Sequence, residues 1–174
     1  MILNDSKHVE EECAKLYSNA EQTLKRINSF AGTPMSFLFT AKFEDLGTHP
    51  VSGKPLNFIE QLNQTFTFLA AYEAAKLLFA WHDLPDGLQV YPGAHAPRGT
   101  LDIEANELPG FVGAETFASV SPSNNGKLKK DLSKLSARNE KFRYSFFISP
   151  RYPEFCRQKE LEVDDIQVWS LWPF

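Results

Sequence analysis

A chain of 174 residues, 43% hydrophobic and 13% aromatic, carries enough apolar material for one core and has the usual size of one domain. Its formal net charge of -4 and pI of about 5.6 exclude a protein that coats nucleic acid non-specifically, because such binding rests on cations meeting phosphates. The longest mainly apolar run, FTFLAAYEAAKLLFAW, is shorter than the ~20 residues of a membrane crossing and contains Glu73 and Lys76, so no membrane contact is expected.

The N-terminus, MILNDSKHVEEECAK, has no basic region followed by an apolar stretch and a small-residue cleavage site. Cys13 and Cys156 are far apart and in no paired motif, which reads as two free structural thiols. Both features point to a cytoplasmic protein.

In chain order, residues 5–30 read as a helix capped by Asp5 or Ser6, with Val9, Cys13, Leu16, Ala20, Leu24 and Ile27 on its apolar side and Gly32 and Pro34 stopping it. A short apolar run at Met35 to Phe39 and a turn-rich loop with Gly47, Pro50, Gly53 and Pro55 follow. The strongest helix comes next, opened by Asn57 with Glu60 three residues later, and its apolar stripe runs Ile59, Leu62, Phe66, Leu69, Leu77. Three short extended segments at 88–93, 100–107 and 110–120 form a meander. A helix over about 123–139 and two further strands, KFRYSFFISP and IQVWSLWPF, complete the order. The expected organisation is one α/β domain over 1–174, a helical addition over 1–34 and a core over 57–174, with a four- to five-stranded mixed sheet flanked by helices.

The chemistry sits in the meander. Strict alternation in TLDIEANE puts Leu101 and Ile103 on one face and Asp102 and Glu104 on the other. In GFVGAETFASV, Val112, Ala114, Thr116, Ala118 and Val120 share a face, which leaves Glu115 and Phe117 opposite. Neighbouring strands would bring Asp102 and Glu115 together, and two adjacent carboxylates are commonly neutralised by a hard divalent cation, Mg²⁺ or Mn²⁺. Surface or edge placement of both acids is the bland alternative.

A long helix, a meander with Asp on its second strand and an acid on its third, then a helix and a strand resembles the PD-(D/E)XK nuclease-like (restriction endonuclease-like) superfamily over roughly residues 57–150. The resemblance implies a restriction-endonuclease-like core, metal ligation by Asp102 and Glu115, and Mg²⁺- or Mn²⁺-dependent phosphodiester hydrolysis on DNA or RNA. It also implies a helix acid toward the helix start, which favours Glu60 over Glu73. Glu60 otherwise serves only the cap, and Glu73 otherwise finds a partner such as Lys76 or a strand lysine. The lysine that should follow Glu115 by two residues is Phe117. The resemblance then puts that role on the next helix, at Lys127 or Lys130.

From Lys127 to Arg143 there are seven Lys or Arg against Asp131 and Glu140. Lys127, Lys130, Lys134, Arg138 and Lys141 would form a basic stripe that guides a nucleic-acid backbone, or else a plain solvated face. Arg98, on the loop YPGAHAPRGT, is a further candidate phosphate contact. His8, His49, His82 and His95 have no metal-ligand spacing, which argues against zinc. The competing readings are a catalytically inactive nuclease-like fold that binds nucleic acid or protein, and an immunity-type partner protein. A homo-oligomer would form through the aromatic C-terminus, with Trp169 and Trp172.

Overall fold

The computed structural model describes residues 1–93, 97 and 99–174; His95 and Arg98 lie outside them. The chain opens with strand β1 (Ile2–Leu3) and helix α1 (Ser6–Asn28), whose cap is the Asp5 carboxylate accepting the His8 N–H. Helix α2 (Pro34–Phe43) follows, then β2 (Gly47–Thr48) and β3 (Pro55–Leu56), which pair as a separate small hairpin. Next come α3 (Phe58–Trp81), β4 (Leu88–Val90), β5 (Ile103–Ala105) and β6 (Val112–Ala118). A 3₁₀ turn (Asn124–Gly126) leads into α4 (Lys127–Ser136), and β7 (Phe142–Ile148), β8 (Cys156–Arg157) and β9 (Ile166–Leu171) end the fold.

The main sheet is mixed and seven-stranded, in the order β1-β4-β5-β6-β7-β9-β8. Strands β6, β7 and β9 are mutually parallel, and β4-β5-β6 is the antiparallel meander. The expected four to five strands fall short by the two edges. Both β1 and β8 are two residues long and carry no readable alternation.

Helices cover both faces of the sheet, as parallel strands require. On one face Val9, Cys13 and Leu16 of α1 and Phe68, Leu69, Tyr72 and Leu78 of α3 pack on Leu88, Ile103, Ala114 and Phe146. On the other, Leu128, Leu132 and Leu135 of α4 pack on Leu101, Phe117, Phe147, Ile166 and Val168. The N-terminal addition is therefore part of the core.

Three local expectations are corrected. Pro34 opens a helix: its fixed φ suits the first helical position, and the Thr33 hydroxyl accepts the Ser36 N–H as the cap. Helix α3 buries Ala70, Ala71, Ala74 and Ala75, while Ile59 and Leu62 at its start are exposed, because the alanines allow the close approach to the sheet. Leu101 and Ile103 belong to opposite cores, since the backbone bends at Asp102 just before β5 begins. Gly113 lies beneath that bend, and a Cβ there would strike Leu101 and press on Glu140.

Candidate functional site

The pairing of β5 with β6 sets Ile103 opposite Ala114 and Glu104 opposite Gly113. One step further the backbone ladder stops and side chains replace it. The Asp102 N–H donates to Glu115 Oε1 at 3.3 Å, and the Thr116 N–H donates to Asp102 Oδ2 at 2.9 Å. The Thr116 hydroxyl donates to the same Oδ2. Each acid thus ties its carboxylate to the other strand, which is why a buried strand tolerates Glu115. Asp102 and Glu115 are brought side by side as expected.

Helix α4 supplies the cations. Lys134 Nζ lies 2.6 Å from Glu115 Oε1, and Lys127 Nζ lies 2.7 Å from Asp131 Oδ1. Lys127 also stands over the Phe117 ring, 5.8 Å from its centroid, with Phe117 stacked on Phe147. The aromatic in place of the expected lysine is thus a core residue that carries a lysine on its face. Asn125 and Gly126, at φ 52° and 64°, take left-handed backbone that Asn and Gly accept best, and so turn the chain from β6 into α4 with Lys127 as its first residue.

Asp131 is a residue that sequence reasoning missed. It is buried, with Oδ2 unpartnered among the described residues. The signal was present, because Leu128, Asp131, Leu132 and Leu135 form the spacing of one helix face.

Burial raises the Glu115 carboxyl to about 7, with the Asp102 charge adding to the effect and Lys134 opposing it. Burial also raises Asp102, against the bonds from Thr116 and the charges of Lys127 and Lys134. Asp131 is raised by burial against Lys127. For Lys127 burial pulls downward, but the bond to Asp131 and the charges of Asp131, Asp102 and Glu115 outweigh it, so its ammonium is held above the usual value.

A polar cavity of about 530 Å³ opens beside these groups, lined by Asp102, Thr116, Lys127, Lys130, Asn124 and Asn125 among others. Every hydrogen bond of Asp102's carboxylate falls on Oδ2, and those of Glu115, with its ion pair, fall on Oε1. One oxygen of each, Oδ1 and Oε2, is left without a hydrogen bond from a described residue.

The other candidates are placed differently. Lys130 is exposed at the cavity rim. Arg138, beyond the end of α4, binds Glu104 and Glu140, each at 2.7 Å. Lys141 lies over the Phe111 and Phe142 rings. Glu60 is exposed in the first turn of α3, where Asn57 caps its N–H. It makes no contact with Asp102 or Glu115, and Glu73 pairs with Lys76 at 2.6 Å. Among the described residues no group of three or more His, Cys, Asp or Glu is gathered so as to hold a metal ion, and no helix is long and apolar enough to cross a membrane.

No family model, no curated protein and no solved structure matches the chain. Its class is the one its own geometry defines: an α/β protein whose mixed sheet carries an interlocked carboxylate pair, faced by lysines from the following helix.

Proposed function

We propose that the chain is a divalent-cation-dependent phosphodiesterase of restriction-endonuclease-like architecture, acting on DNA or RNA. The observation that carries this reading is a pair of interlocked acids, each with one carboxylate oxygen free of hydrogen bonds from described residues, of which Asp102 lines a cavity together with Lys127 while Glu115 is buried. The element order α3, β4, β5, β6, α4, β7 supports the architecture.

The donor set fits Mg²⁺ or Mn²⁺. Both are hard cations that accept two carboxylates and complete their shells with water and phosphate oxygens. Asp102 and Glu115 would hold the ion, which when bound acidifies water and neutralises phosphoryl charge. Lys127, anchored by Asp131, keeps its charge at the cavity and would offset charge that develops on the reacting phosphate. Lys134 favours the ionised form of Glu115, opposing burial and the field of Asp102. Lys130, with Asn124 and Asn125, provides the exposed donors that a phosphodiester backbone would meet at the rim.

A second reading, a catalytically inactive module, has one observation in its favour: Lys134 and Asp131 already neutralise the two groups a reaction would need, Glu115 and Lys127. A cleavage panel with Mg²⁺ or Mn²⁺ on single- and double-stranded DNA and on RNA separates the two. Cutting that Asp102→Ala abolishes supports the enzyme. Salt-sensitive binding without any cutting supports the module.

A further inference from the structure

Helix α2 presents its apolar residues to solvent. Met35 is 73% exposed, Leu38 57%, Phe39 58% and Phe43 65%, and of its ten residues only Ala41 is buried. A helix this short is marginal alone, since helices below about 12–15 residues draw their stability from a packed apolar face. That face is uncovered here.

We propose that α2 is the interface of a twofold-symmetric homodimer, in which the second copy's α2 covers this stripe. The stripe is palindromic about Phe39, with Met35 four residues before it and Phe43 four residues after. An antiparallel pairing of two copies therefore sets Phe39 against its own counterpart and Met35 against Phe43 of the second copy. Such self-complementarity is what an isologous interface needs, and thioether against ring is a favourable contact.

The four side chains leave on the order of 500 Å² of apolar surface per copy, at the upper end of what a monomer shows and about 1,000 Å² for two copies, where specific interfaces begin. Lys42, over the Phe43 ring at 5.6 Å, is the one charge within the helix and flanks the stripe. A membrane surface is the poorer occupant, because an anionic leaflet would meet that single cation, the acids Glu44 and Asp45 immediately after it, and a chain of net charge -4. The proposed stripe contains none of the aromatic C-terminal residues.

Sedimentation equilibrium of the full chain tests the proposal. The wild type is expected at twice its 19.7 kDa mass. Phe39→Glu, which would set two carboxylates face to face, is expected at the single mass with an unchanged circular-dichroism spectrum. As a check independent of folding, F39C in a C156S background is expected to form a covalent dimer on mild oxidation. Single mass for the wild type at every concentration overturns the proposal. So does a dimer that persists in Phe39→Glu, which assigns the interface elsewhere, or an F39C chain that fails to cross-link. Flotation of the wild type, but not of Phe39→Glu, with phosphatidylserine vesicles would give α2 to a membrane instead.

Discussion

Glu115 and Asp102 hold each other in place by backbone bonds, yet each raises the cost of the other's charge. The folded Glu115 titrates near 7 against an ordinary 4.5, so the native state keeps a proton that the unfolded chain has already lost between those values. The contribution of Glu115 to the stability of the cation-free protein is therefore fully present below about pH 4.5, falls by roughly 3 kcal/mol as pH rises to 7, and levels above it. The raised Asp102 and Asp131 act in the same direction. Urea melts across that range check it, and Glu115→Gln is expected to flatten the slope. Asp131 carries an unpartnered buried oxygen, so Asp131→Asn is expected to leave stability within about 1 kcal/mol of wild type while any cleavage drops about tenfold or more, as Lys127 loses its anchor. Restoring the missing lysine is expected to fail. Phe117 is buried between Phe147 and Lys127, so Phe117→Lys should cost about 3 kcal/mol or more in a thermal melt and should not raise activity.

Elements were legible where their signal ran long enough. The helices α1 and α3, the meander, and the parallel strands β7 and β9 follow from caps, periodicity and apolar runs. Helix α2 was hidden because Pro34 reads as a stop as readily as a start, and only the Thr33 cap decides between them. The two edge strands have two residues each, too few for any period. The facing of Glu115 and Phe117 followed from alternation in β6, but the same rule failed at Leu101 because the bend at Asp102 shifts the phase. The basic stripe was visible as spacing, and so was the i,i+4 pair of Lys127 with Asp131, whereas the ion pairs with Glu115 and Glu104 depend on tertiary neighbours that no local pattern encodes. Gly113 leaves room for the Leu101 side chain next to that bend. Gly113→Ala is expected to destabilise by about 1–3 kcal/mol and to weaken cation binding, since the added methyl displaces Leu101 beside Asp102.

At the scale of the molecule, the two faces of the sheet have divided their work. The face under α1 and α3 holds the larger apolar core, and the face under α4 combines a smaller core with the charged cluster. This arrangement sets half-buried Asp102 just ahead of β5, buries Glu115 in the middle of β6, and brings cations to them from a short helix whose first residue is Lys127. Cleavage depends on finding the right substrate, but cation binding does not, so the most direct measurement is a Mn²⁺ titration at pH 7 and at pH 8 followed by electron paramagnetic resonance and calorimetry. One Mn²⁺ per chain, lost in Asp102→Ala and in Glu115→Gln and accompanied by proton release near pH 7, is the expected result. A wild type that binds no Mn²⁺, or binds it equally after both substitutions, would contradict a cation site between β5 and β6 and leave the carboxylate pair as a device for closing the sheet.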